Sequence, residues 1–311
     1  MNKQLAIVFP GQGSQSVGML AELAGAYPQV LDTFAQASSV LGYDLWALVQ
    51  NGPEAALNQT DRTQPAMLTA GVALWRLWCE QGGAQPTFMA GHSQGEYTAL
   101  VCAGSLDFAD AIGLVAERGR CMQDAVPAGV GAMAAVLGLS DDQVRQACLE
   151  AAEGDVVSAV NFNSPGQVVI AGHKAAVDRA CEKAKAMGAK RALPLAVSVP
   201  SHSSLMRPAA DAFGKTLAAT AIDPPRIPVI HNADVAIHDS PEAIRDALVR
   251  QIHSPVRWVE TVQFLAAQGV TRILEAGPGK VLTGLNKRID KNLALSAVFD
   301  SASLAEAIAS T

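Results

Sequence analysis

The pentapeptide Gly91-His92-Ser93-Gln94-Gly95 has the residue types and spacing of a nucleophile elbow. It follows the apolar run Pro86–Ala90 and precedes a helix-forming stretch from Glu96 to Cys102. A serine on so tight a strand-to-helix turn presents its hydroxyl above a sheet, and glycines flank it because side chains do not fit there. Ser93 is therefore the candidate nucleophile. Without a catalytic role, it would be a helix cap in an ordinary βα turn.

A serine nucleophile needs a base, and six histidines are available. His92 adjoins Ser93, but neighbouring side chains on an extended segment point to opposite faces, which suits His92 to buttressing the elbow. His173, His238 and His253 fall in predicted loops or at helix starts. His202, after the run 193–199 and Pro200-Ser201, and His231, after Ile227–Ile230, both fall at the carboxyl ends of predicted strands, where open α/β sheets place their sites. His202 is favoured because it opens a helix at a crossing between subdomains; His231 remains the alternative. The acids between 93 and 202 lie mostly in predicted helices, so no third triad member stands out. A dyad whose histidine is held by a backbone carbonyl accounts for that.

The turn Phe9-Pro10-Gly11-Gln12-Gly13-Ser14-Gln15 invites comparison with a dinucleotide loop, but Ser16 stands at the third glycine position and Asp32 falls inside a predicted helix. Beside the elbow, a glycine-lined turn instead aims a backbone N–H at an oxyanion, with the N–H of Gln94 as its companion. Gly277-Pro278-Gly279-Lys280 lacks phosphate-loop spacing and reads as a strand-to-helix turn. Arg118, on a predicted helix near Glu117 and Asp124, reads by itself as a solvated charge.

Short apolar strands alternating with helical patterns must position these residues, which argues for an α/β protein with a mostly parallel sheet. Strands are predicted at Leu5–Phe9, Pro228–His231 and Thr271–Glu275. Helices are predicted at Tyr27–Leu41, Pro65–Cys79, Phe108–Asp124, Ser203–Ala221, Pro241–Gln251 and Val259–Gln268. Between them lies a different texture: strand Gly131–Gly138, helix Ser140–Ala152, strand Val156–Val160, a turn at Asn163–Gly166, strand Val168–Ala171, helix Lys174–Met187 and strand Arg191–Val197. This β-α-β-β-α-β order is the split βαβ pattern. The expected architecture is an α/β-hydrolase-like large domain, residues 1–127 and 198–311, with an inserted ferredoxin-like subdomain at 128–197.

A chain of 311 residues that is 50% hydrophobic and 17% charged can bury a large core. No apolar stretch is long enough to cross a bilayer, and Met1-Asn2-Lys3-Gln4 runs into a strand instead of a secretory core, so the cytoplasm is the expected location. Five scattered cysteines without a Cys-x-x-Cys pair argue against a disulfide framework or a zinc site, and a net charge of −6 disfavours nucleic acid as a partner.

Taken together, Phe9–Gln15, Thr63-Gln64-Pro65-Ala66, Gly91–Tyr97, Arg118, Asn161–Gln167, Val199-Pro200-Ser201-His202 and Glu275–Gly279 resemble the malonyl-CoA:acyl-carrier-protein transacylases of bacterial fatty-acid synthesis. More distantly, they resemble the acyltransferase domains of modular polyketide synthases. The resemblance spans nearly the whole chain. It implies Ser93 as nucleophile, His202 as base, backbone N–H groups of Gln12 and Gln94 as oxyanion hole, and the carbonyl of Gln251 as the group orienting His202. Arg118 is implied to pair with the free malonyl carboxylate, a role for a planar guanidinium. Gln64, His92, Met122, Asn163 and Ser201 are expected to line the site. Gln94 departs from the leucine common in the free-standing enzymes, but only its backbone is invoked.

The expected partners are malonyl-CoA, as substrate, and holo acyl carrier protein, with neither nucleic acid nor membrane, and no metal or redox cofactor. The basic pairs Lys190-Arg191 and Lys287-Arg288 are expected to dock the carrier protein. A serine esterase or thioesterase, with water as acceptor, and a non-catalytic acyl-binding scaffold are the competing readings.

Overall fold

A computed structural model describes residues 4–197 and 199–311; Met1 to Lys3, and Ser198 where the large domain was expected to resume, lie outside the described residues. The strands are β1 Gln4–Phe9, β2 Phe88–Gly91, β3 Gly131–Leu137, β4 Val157–Ser164, β5 Gln167–His173, β6 Arg191–Pro194, β7 Val229–Ile230, β8 Val270–Ala276 and β9 Ala294–Val298. The first helices are α1 Ala21–Ala26, α2 Gln29–Leu41, α3 Leu45–Asn51, α4 Glu54–Leu57, α5 Thr60–Glu80, α6 Gly95–Cys102 and α7 Phe108–Asp124. They are followed by α8 Asp141–Ala151, α9 Lys174–Ala186, α10 Arg207–Ala219, α11 Pro241–His253, α12 Trp258–Ala267, α13 Val281–Ile289 and α14 Ser301–Ser310.

Five strands form a parallel sheet in the order β7-β2-β1-β8-β9. β1 lies at its centre and is apolar without alternation because both its faces are covered. Leu5, Ile7 and Phe9 join a core with α2, α5, α7 and α10, whereas Ala6 and Val8 join Trp258, Val262 and Leu285 on the other face. Four strands form an antiparallel sheet in the order β4-β5-β3-β6, with α8 and α9 on one face over Val136, Val168 and Ile170. This is the β-α-β-β-α-β order expected from the sequence. The outer edge of β4 meets the segment before α12: Val256 N donates to Val160 O and Phe162 N donates to Val256 O.

Local signals explain several element ends. Asp107 caps α7 by accepting from the N–H groups of Ala109 and Asp110, and Ser140 with Gln143 forms a capping box on α8. Helix α5 starts earlier than expected, at Thr60, and carries Pro65 within it. Strand β6 ends at Pro194 instead of Val197, and α10 starts at Arg207, after a 3₁₀ turn at Ser204–Met206, instead of at Ser203. His202 therefore sits in the turn ahead of a helix and does not open one. The turn at Gly277–Lys280 leads into α13, and β9 and α14 extend the large sheet and its flank beyond β8, the last strand expected from the sequence; Ala294–Val298, at the sheet edge, is mostly only partly buried.

Candidate active site

The elbow joins β2 to α6, with Ser93 in the left-handed region at φ 52°. A Cβ on Gly91 would stand 1.9 Å from the Gly95 carbonyl, and one on Gly95 would stand 2.2 Å from the Phe9 carbonyl oxygen. No neighbouring backbone group can yield that much, so both positions require glycine. Asn232, just beyond β7, straps the turn: its Oδ1 accepts from Ser93 N at 2.7 Å and its Nδ2 donates to Gly91 O at 2.7 Å.

His202 comes from the other side of the cleft, itself left-handed at φ 64° and buried. Its Nδ1 lies 2.8 Å from the backbone carbonyl of Gln251, in α11, and its Nε2 lies 2.8 Å from Ser93 Oγ. A carbonyl only accepts, so Nδ1 carries the proton and Nε2 is free to accept from the serine hydroxyl. Burial lowers the pKa of this imidazole to about 3, the nearby Arg118 cation pushes in the same direction, and the bond to Gln251 O opposes both. The ring is thus a neutral acceptor.

Arg118 lies on the inner face of α7 and is buried, against the expectation of a solvated charge. The solvated role falls to Arg120, which pairs with Glu117 and Asp124. Helix α7 approaches α5 closely at Gly119, where a Cβ would stand 2.6 Å from Asp61 Cα. That contact brings Arg118 Nη1 to 2.8 Å from Gln64 Oε1. Arg118 Nη2 donates to Gln251 Oε1 at 2.9 Å and to Ser93 Oγ at 3.3 Å, and the guanidinium lies over the Tyr97 ring at 5.4 Å. Among the described residues no carboxylate forms an ion pair with Arg118, and its Nε has no hydrogen-bond partner. A buried cation with no direct ion-pair partner, beside a serine hydroxyl, has the chemistry to receive an anionic group.

These groups surround a cavity of about 110 Å³. Of the residues expected there, Gln12, Gln64, His92, Ser93, Gln94, Arg118, Met122, Ser201 and His202 line it. A Cβ on Gly11 would stand 2.4 Å from the His92 carbonyl oxygen, so the Gln12 turn lies hard against the elbow. Among the described residues neither Gln12 N–H nor Gln94 N–H has an acceptor. Asn163 does not line the cavity: its Oδ1 lies 2.8 Å from His92 Nε2 and backs that ring, which also packs against Trp258. Asn161 lines it instead, on a stretch of β4 whose register is irregular between residues 159 and 164. Lys190 and Arg191, at the start of β6, and Lys287 and Arg288, in the last turn of α13, are not among the lining residues.

Met133, Leu195 and Val197 line the cavity without having been expected. Met133 lies on the face of the small sheet turned away from α8 and α9, and Val197, beyond β6, packs against that face. Two more residues behind the site, Glu96 and Asn232, were missed. Glu96 accepts from Asn232 N and Gln251 Nε2, each at 2.8 Å, and its Oε1 lies 2.8 Å from Nδ1 of His231. His231, the alternative base, is therefore turned to Glu96 and has no contact with Ser93. The one available signal was an acid directly after the elbow glycine, on an otherwise apolar helix. Among the described residues no group of three His, Cys, Asp or Glu side chains could hold a metal ion, and no helix is long and apolar enough to cross a membrane.

The profile of the family described as acyl transferase domain matches residues 6–297. The chain is 61% identical over 305 residues to the malonyl CoA-acyl carrier protein transacylase of Escherichia coli K12, covering 98% of this chain and 99% of that one. It is 43% identical to the protein of the same name from Bacillus subtilis, covering 98% and 96%. Among solved structures, it is similar to a malonyl-transacylase in complex with a type II polyketide-synthase acyl-carrier protein, at 60% identity, TM-score 0.98 and coverage of 99% and 100%. It is also similar to an acyl carrier protein S-malonyltransferase from Vibrio cholerae, at 62% identity, TM-score 0.95 and coverage of 97% and 99%.

Proposed function

The chain belongs to the acyl transferase domain family, and on that premise we propose that it moves the malonyl group of malonyl-CoA to the phosphopantetheine thiol of acyl carrier protein, supplying fatty-acid synthesis. The observation that carries the malonyl assignment is Arg118, a buried guanidinium with no ion-pair partner among the described residues, 3.3 Å from the hydroxyl of Ser93.

In the proposed cycle the malonyl carboxylate pairs with Arg118, which sets the thioester carbonyl over Ser93. Ser93 Oγ gives its proton to His202 Nε2 and attacks the carbonyl carbon, while the oxyanion faces the N–H groups of Gln12 and Gln94. Collapse breaks the carbon–sulfur bond. The CoA sulfur leaves with the proton from His202, and a malonyl ester remains on Ser93. The carrier-protein thiol then gives its proton to His202, attacks the ester and releases Ser93 by the same steps reversed, a ping-pong course. The first half-reaction exchanges a thioester for an ester and the second exchanges it back, so the chemistry calls for no cofactor; the cytoplasm is the location proposed for it. Lys190, Arg191, Lys287 and Arg288 are the positions proposed to meet the carrier protein.

Incubation with labelled malonyl-CoA, with and without holo carrier protein, tests the reading. A malonyl adduct on Ser93 that is absent from Ser93→Ala and transfers only to carrier protein supports it. Rapid release of free malonate marks an esterase, and no adduct marks a scaffold.

A further inference from the structure

The side chain of Gln251 stands between a buried acid and a buried base. Its Nε2 donates to Glu96 Oε2 at 2.8 Å and to Ser93 O at 3.0 Å, and its Oε1 accepts from Arg118 Nη2 at 2.9 Å. Its backbone carbonyl meanwhile holds His202. The amide can sit only one way round: Glu96 and the Ser93 carbonyl only accept, and Arg118 only donates. Reversed, it would aim its own N–H groups at the guanidinium and its oxygen at the carboxylate. Glu96, Gln251 and Arg118 are all fully or almost fully buried, so no bulk solvent is at hand to repair such a mismatch.

We propose that Glu96 is a positioning residue for substrate selection: as a hydrogen-bond acceptor it fixes the Gln251 amide with its oxygen toward Arg118, which holds the guanidinium where a carboxylated acyl group needs it. The role rests on the malonyl-transfer reading above. Glu96 does not touch the acyl group. It acts through Gln251, and the Asn232 N–H bonded to the same carboxylate oxygen ties this arrangement to the elbow strap.

The charge and the acceptor geometry of Glu96 can be separated. In Glu96→Gln the new amide oxygen takes the place of Oε2, because Asn232 N–H and Gln251 Nε2 both still need an acceptor. The new NH₂ then faces His231 Nδ1. His231 can accept there by moving its proton to Nε2, which has no partner in the protein among the described residues. Glu96→Met keeps the bulk and removes the acceptor.

The test compares acyl-enzyme formation from malonyl-CoA and from acetyl-CoA in wild type, Glu96→Met and Glu96→Gln, each checked for folding by circular dichroism. In Glu96→Met, kcat/KM for malonyl-CoA is expected to fall about tenfold or more, as for the loss of one buried hydrogen bond to a charged group, while acetyl-CoA changes by less than about threefold. Glu96→Gln is expected to restore most of the malonyl preference. Equal losses on both substrates in Glu96→Met, or no loss on either, overturn the proposal and leave Glu96 a structural acid. A malonyl preference lost equally in Glu96→Gln also overturns it, since the charge would then be what matters. Should Glu96→Met fail to fold, Glu96→Leu, a shorter apolar side chain that also lacks the acceptor, carries the same expectation and the same refutation. Wild type that forms no malonyl adduct overturns the function reading itself, an outcome distinct from all of these.

Discussion

Nη2 of Arg118 lies 3.3 Å from Oγ of Ser93, so the buried cation and the hydroxyl proposed as nucleophile share one hydrogen bond while His202 Nε2 holds the same oxygen at 2.8 Å. The serine oxygen thus sits between a neutral acceptor and a fixed positive charge. An acyl group with a free carboxylate can satisfy that charge, and one without cannot.

Arg118→Ala is accordingly expected to invert substrate preference. Loss of the guanidinium leaves a malonyl carboxylate unpaired in a desolvated cleft, which costs about 2 to 5 kcal/mol of transition-state binding. Acetyl-CoA forgoes nothing and is expected to hold or gain, since no cation is then buried beside its methyl group. Arg118→Lys recovers little, because an ammonium lacks the planar fork. Steady-state kcat/KM on both substrates decides the matter, and an equal decline would reduce Arg118 to a structural residue.

Replacement of Gly95 by alanine brings a Cβ to 2.2 Å from the Phe9 carbonyl oxygen, and β1 cannot move without disturbing the centre of the sheet. A loss of about 1 to 3 kcal/mol or more in stability is expected from the overpacking, together with loss of the malonyl adduct. Thermal melting and intact-mass measurement read the two effects. A variant that melts like wild type and acylates normally contradicts the account of the elbow.

His202 links stability to pH. Burial, then the Arg118 cation, lowers its pKa from 6.5 to about 3. Between those values the unfolded chain binds a proton that the native state refuses. Its contribution is therefore fully present above pH 6.5 and is lost as pH falls from there toward 3, by up to about 1.4 kcal/mol per pH unit. Denaturation midpoints from pH 7.5 to pH 5 are expected to slope less in His202→Gln than in wild type; parallel curves refute this. Removing the cation in Arg118→Ala should also raise the pKa of His202, so the acid limb of acetyl transfer moves to higher pH.

The carrier-protein contact is expected to be electrostatic. Reversing the charges of Lys190, Arg191, Lys287 and Arg288 should raise the apparent KM for carrier protein and weaken its salt dependence, while acylation by malonyl-CoA is spared, since none of the four lines the cavity. Unchanged carrier-protein kinetics remove these positions from the docking surface.

The elbow was legible in the sequence because its constraint is local: strand, Gly-x-Ser-x-Gly and helix lie within fifteen residues, and the glycines are demanded by atoms of the turn and of the adjoining central strand. The split βαβ order was legible for a similar reason, since each element carries its own periodicity and caps. The roles of His202, Gln251 and Arg118 came from family resemblance. From residue types alone, His202 was favoured over His231 only by its place at a crossing between subdomains, since each stood at the end of a strand, and Arg118 read as an ordinary surface charge. What separates them is decided across the fold. His231 is turned to Glu96 from 135 positions away, and Gln251 reaches Arg118 across 133. Hydrogen bonds of that separation leave no trace in local periodicity, because they depend on where α11 and α7 pack around the sheet. The same holds for Asn161 lining the cavity in place of Asn163, on a strand β4 whose register is irregular there, and for Glu96, whose meaning lies in the three donors that the tertiary structure brings to it.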